Sequence, residues 1–164
     1  MSAKRILVGV LAVALLAPLG ARAQSAPLPY GAPVTGDVAR KAAAAALTEG
    51  KKNGWFVAAA VVDTGGVLVH FERLEGTQNG SSEVAFAKAR TSALFRRPSK
   101  AFEDAVAGGK TSYVTLPGAL ALEGGLPLVV DGKIVGAIGV SGATSVQDGQ
   151  CAKAGVDAIA PAAK

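Results

Sequence analysis

The sequence predicts an α+β domain in which helices cover an antiparallel sheet. Three observations point there. Two apolar runs, 55–62 and 67–71, flank the turn residues Asp63-Thr64-Gly65-Gly66. Two more, 126–130 and 134–140, are separated by Asp131-Gly132 alone. Alanine-rich stretches with capping residues at their starts lie before, between and after these hairpins. Strands joined by tight turns must run antiparallel, and the interleaved helices then cover the faces of the sheet.

The first 23 residues read as a secretory signal peptide. Lys4 and Arg5 give a basic start, an apolar run follows over 6–19, and Ala21-Arg22-Ala23 is a small-x-small cleavage site. The apolar run is short for a membrane span of ~20 residues. Cleavage would leave a periplasmic or secreted chain of 141 residues starting at Gln24, enough for one domain with a core. Residues 24–34, rich in Pro, Ala and Gly, read as a flexible leader, and 35–164 as a single domain.

Thr35 is placed to cap a helix over 38–52, with Asp37 in its first turn and Asn53-Gly54 as the stop. The run 55–62 is a buried strand. In the next strand Val67, Val69 and Phe71 alternate with Leu68, His70 and Glu72, giving two distinct faces. Ser81 or Ser82 caps a helix reaching Phe95, whose Ala85, Ala87, Ala89 and Ala93 permit close packing on a sheet. After Pro98, Ser99 caps a short helix that ends at Gly108-Gly109. Residues 111–121 read as a loop with a short strand. Asp131-Gly132 suits a type I′ turn, which needs positive φ at both central residues. Gly136, Gly139 and Gly142 strip the following strand of side chains, so a helix or a ligand must approach its backbone. A closing helix over 148–160 places Cys151, Ala154, Gly155 and Ala158 on one face.

Charge narrows the function classes. The net charge of +5 falls to +2 once Lys4, Arg5 and Arg22 leave with the signal peptide. Arg96-Arg97 is the densest basic pair that remains, which is no nucleic-acid stripe. Cys151 stands alone, so no internal disulfide forms. There is no His-Glu-x-x-His, Cys-x-x-Cys, Walker loop or Gly-x-Ser-x-Gly elbow. Gly136-x-x-Gly139-x-x-Gly142 runs along a strand and is no dinucleotide fingerprint.

The candidate metal ligands are His70, the only imidazole, and Tyr113, whose phenolate can hold ferric iron. Each has a structural alternative: a half-exposed strand residue for His70, a packed loop aromatic for Tyr113. Lys88, Arg90, Arg96 and Arg97 are cations suited to carboxylates, or else a solvated helix face. Asp148 is either a helix cap or part of a site beside the glycine strand.

Six blocks recur in order: Val61-Val62-Asp63-x-Gly65-Gly66 with Phe71-x-Arg73; Lys88-Ala89-Arg90-Thr91; Phe95-x-Arg97-Pro98; Gly124-Gly125-x-Pro127; Gly136-Ala137-Ile138-Gly139-Val140-Ser141-Gly142; and Gln147-Asp148. In these the chain resembles the GlcG/HbpS haem-binding family, also found as the C-terminal domain of PduO-type proteins, from about residue 35 to 158. The resemblance implies a profilin-like three-layer α/β/α domain with a central antiparallel sheet, which forms homo-oligomers. It implies haem or a related tetrapyrrole as ligand, and an exported protein for haem capture, storage or redox sensing. A haem-degrading enzyme is one competing reading. A non-haem sensory or scaffold module, partnered by a sensor receptor's ectodomain, is another. The macrocycle would lie against the Ala- and Gly-rich surfaces near Gly139 and Asp148. His70 or Tyr113 would reach the iron, and Lys88, Arg90 or Arg97 the propionates.

Overall fold

The computed structural model describes residues 26–160. The signal segment, 1–23, lies outside them. The elements are α1 (Gly36–Lys52), β1 (Ala58–Asp63), β2 (Leu68–Arg73), α2 (Ser81–Phe95), α3 (Lys100–Ala107), a 3-10 helix (Thr111–Thr115), β3 (Gly125–Val130), β4 (Lys133–Ser141) and α4 (Ser145–Ile159). The four strands form one antiparallel sheet in the order β2-β1-β4-β3.

Helices cover both faces. α1 buries Ala39, Ala42, Ala43, Ala46, Leu47 and Gly50, a stripe at three- and four-residue spacing. With α4 it covers the face that presents Val57, Ala59, Val61, Ile138 and Val140. α2 covers the opposite face with Ala85, Ala89 and Ala93, packed on Ala58, Ala60, Val62 and Ala137. Each fully buried Val or Ile contributes about 1.5–3 kcal/mol. The many alanines contribute less each but let backbones come close.

Caps follow the sequence in some places and depart from it in others. Thr35 caps α1, accepting from the Val38 amide, and α1 ends at Asn53. The Asp131-Gly132 turn has φ of 49° and 72°, the positive pair a type I′ hairpin requires. α2 starts after Gly80 with no side-chain cap, because Ser81 is turned into the interior instead. Ser99 does not cap α3 either. Its hydroxyl donates to the Leu122 carbonyl and accepts from the Gly125 amide, tying the loop before β3 to α3. Residues 111–115 form a 3-10 helix rather than a strand. α4 begins three residues earlier than expected, because Thr144 and Gln147 form a reciprocal capping box.

The leader is pinned from Pro29 onward. The Ile134 amide donates to the Pro29 carbonyl, Gly31 donates to Ile134, and Val34 donates to Val135. The Tyr30 hydroxyl donates to the Ala93 carbonyl at 2.7 Å, satisfying an open carbonyl at the end of α2.

Candidate functional site

The glycine strand is filled by the protein itself. A Cβ at Gly139 would strike the Ala85 carbonyl and the Ala89 amide of α2. At Gly136 it would meet the Val62 carbonyl, and at Gly142 the Phe56 carbonyl. Of the two readings these glycines allowed, close helix and strand packing is the one realised. The space beside the strand at Gly139 is taken up by the α2 backbone, and Gly139 packs directly against that helix.

Lys88 and Asp148 belong together inside the fold. Their side chains are 2% and 3% exposed, with Nζ 2.8 Å from Oδ2. Lys88 also donates to the Val140 carbonyl, and Asp148 accepts from the Ala143 amide through Oδ1. Burial pushes the Asp148 carboxyl up from its ordinary value, opposed by the hydrogen bond and charge of Lys88. Lys88 is therefore not a surface cation waiting for a propionate, and Asp148 is not the cap of α4. This pair links α2 to the start of α4. Arg90 is also engaged: Nη1 donates to the Gly66 carbonyl and the guanidinium lies 5.6 Å from the Phe86 ring. Arg96 lies over Tyr30.

Tyr113 and Arg97 are brought together. The 3-10 helix sets Tyr113 edge-on to Phe102 at 5.6 Å, and Phe102 sits edge-on to Phe95 at 5.1 Å. The Arg97 guanidinium lies 5.5 Å from the Phe102 ring. These residues, with Ser112, Thr115 and Leu116, line a surface hollow of about 400 Å³. Its walls are mostly apolar, and beside the hydroxyl residues Ser112 and Thr115 it offers one cation and one phenol. The sequence marks Phe95 as a helix end and as part of a recurring block, but nothing local singles out Phe102 or Leu116. The aromatic pair straddling the break at Pro98 was the available signal, since two rings seven residues apart around a bend can meet.

His70 lies elsewhere. It pairs with Val61 of β1, on the face covered by α1 and α4, whereas Tyr113 reaches the fold through the end of α2. Its Nε2 is 3.6 Å from Glu72 Oε2, shielded from water and without a hydrogen-bond partner. A second hollow, of about 370 Å³, is lined by Lys51, Gly54, Trp55, Phe56, Leu74 and Glu75. Among the described residues no three His, Cys, Asp or Glu side chains cluster as a metal site, and no helix is long and apolar enough to cross a membrane. Cys151 is enclosed, and burial pushes its thiol up to about 11, which makes it a poor thiolate ligand.

Comparison with known proteins places this geometry in context. Residues 34–157 match the family model described as haem degrading protein HbpS-like. Protein GlcG of Escherichia coli K12 is 46% identical over 98 residues, 60% of this chain and 73% of that one. A crystal structure of a Streptomyces reticuli HbpS double mutant superposes with a TM-score of 0.72 at 34% identity, covering 86% of this chain and 95% of its own. The crystal structure of the PduOC–heme complex shares the fold at a TM-score of 0.70 and 23% identity, covering 77% of this chain and 94% of its own.

Proposed function

This chain belongs to the HbpS-like family, and from that premise we propose that it is an exported haem-binding protein. The observation that carries the reading is the hollow at the end of α2, where a phenol, a guanidinium and aromatic walls converge. The donor set fits haem. Tyr113 is a hard oxygen ligand suited to ferric iron. Arg97 pairs with a propionate more strongly than a neutral donor would. Phe95, Phe102 and Leu116 supply the apolar wall a macrocycle needs. When bound, haem supplies redox and oxygen chemistry; the residues here orient it and exclude water from one face.

Titration of the purified apoprotein with hemin tests the proposal. A saturable Soret shift is expected, weakened roughly tenfold or more in Tyr113→Phe, a loss of about 1.4 kcal/mol or more. His70→Ala should bind as the parent does. Absence of a saturable shift overturns haem binding. A shift unchanged in Tyr113→Phe and lost in His70→Ala moves the iron to β2.

The description of the matched family favours haem degradation as a second reading. It predicts loss of the bound chromophore with release of iron, in the presence of a reductant or peroxide, faster than free hemin decays. Equal rates overturn it. Export itself is checked by N-terminal sequencing of the protein recovered outside the cytoplasm, which should begin at Gln24.

A further inference from the structure

The hollow lined by Trp55, Phe56 and Leu74 shares no residue with the one at Tyr113. Its walls are fixed in place. Trp55 and Leu74 are half-buried and pack against the main core cluster. The Trp55 amide donates to the Gly50 carbonyl at 2.8 Å, which ties the approach to β1 to the end of α1. The Leu74 amide donates to the Val57 carbonyl at 3.0 Å, and the Thr77 hydroxyl donates to the Leu74 carbonyl at 2.7 Å. Phe56 is exposed, yet its ring lies beside Gly76, where an added Cβ would come within 3.3 Å of it. Two opposite charges line the same hollow, Lys51 from the last turn of α1 and Glu75 from the turn after β2. Lys52, next in the chain, is taken up by Glu49 at 3.6 Å. Among the described residues neither Lys51 nor Glu75 belongs to an ion pair.

We propose that this hollow binds a free α-amino acid with an apolar side chain. Charge selects that class. A lone carboxylate would meet Lys51 but bring a second negative charge to Glu75. A lone amine would meet Glu75 but bring a second positive charge to Lys51. A neutral apolar molecule would draw water away from both charges and give neither a partner, which is costly. An α-amino acid carries an ammonium and a carboxylate on one carbon, so it answers both. Its side chain then has Trp55, Phe56 and Leu74 to lie against. The volume of about 370 Å³ falls within the range of small-molecule pockets. Because the walls are held before the ligand arrives, little ordering is lost on binding. This inference goes beyond the haem reading and does not rest on it.

Trp55 is the only tryptophan of the chain, so its fluorescence reports on this hollow alone. Titration of the purified protein with L-leucine, followed by that fluorescence and by calorimetry, tests the proposal, with circular dichroism as the control for folding. Saturable binding is expected with a Kd of about 0.1–1 mM, a reasonable strength for so small a ligand. N-acetyl-L-leucine, which lacks the ammonium, and L-leucinamide, which lacks the carboxylate, should each bind roughly fivefold or more weakly, the upper end for a charge pair open to water. Both lining charges are exposed, so Lys51→Gln and Glu75→Gln should fold as the parent does. Lys51→Gln should weaken L-leucine by a similar factor and leave L-leucinamide unchanged. Glu75→Gln should weaken L-leucine and leave N-acetyl-L-leucine unchanged. Tyr113→Phe should bind L-leucine as the parent does, which keeps this result separate from that of the hemin titration. Absence of saturable L-leucine binding overturns the proposal. So does equal binding of L-leucine and its two derivatives, or L-leucine binding that neither Lys51→Gln nor Glu75→Gln alters.

Discussion

At Lys88 and Asp148 the fold encloses two opposite charges that water does not reach. Attraction between them offsets a desolvation cost of several kcal/mol per ion, and removing one partner leaves the other uncompensated. Lys88→Met or Asp148→Ala should therefore lose about 3–5 kcal/mol in urea unfolding, whereas Lys88→Met with Asp148→Leu should recover much of it. The pH dependence has a definite sign. The folded carboxyl titrates above its ordinary 3.8, with burial the leading cause. A group raised on folding contributes stability that is complete below the unfolded value and lost as pH climbs through the folded one. The stability of the parent relative to Asp148→Asn should accordingly fall as pH rises from below 3.8 through the raised value. An increase over that interval would contradict the assignment. The composition reveals that a lysine and an aspartate are present, but nothing local to either residue tells that chain segments 60 residues apart in sequence bring them into one buried pair.

Among the elements, the contact of α2 with β4 depends most on side-chain size. Gly139→Ala should cost about 1–3 kcal/mol or more, since the helix must shift to admit a methyl group. Gly36→Ala, in the first turn of α1 with nothing within 4 Å of the added carbon, should be neutral or slightly stabilising. Comparison of urea midpoints separates the two. The hairpins, α1 and the alanine face of α2 were legible because each is encoded locally, by turn chemistry, a cap or a spacing. The 3-10 helix and the roles of Ser81 and Ser99 were not, because those hydroxyls answer to carbonyls and amides 20 or more residues distant, or to none. The candidate site divides in the same way. Tyr113 and Arg97 could be named from what their side chains can do. Their meeting at Phe102 depends on how α3 and the 3-10 helix fold back, which no short motif records.

In the whole molecule, small side chains replace large ones as the means of building a core. Helices sit close to the sheet, and the leader closes one end by hydrogen bonding Tyr30 to the last turn of α2. Tyr30→Phe should lose about 1 kcal/mol, the net worth of one such bond, as a lowered melting temperature. Cys151 of α4 lies close to Gly50 of α1, in the core cluster that also holds Ala59 and Val61 of β1. As the chain's single thiol, unreactive while enclosed, it is a natural chronometer. A pulse of alkylating reagent can modify it only during excursions that part the three elements, so the rate of mass gain measures, without any engineered probe, how often the native molecule opens its own centre.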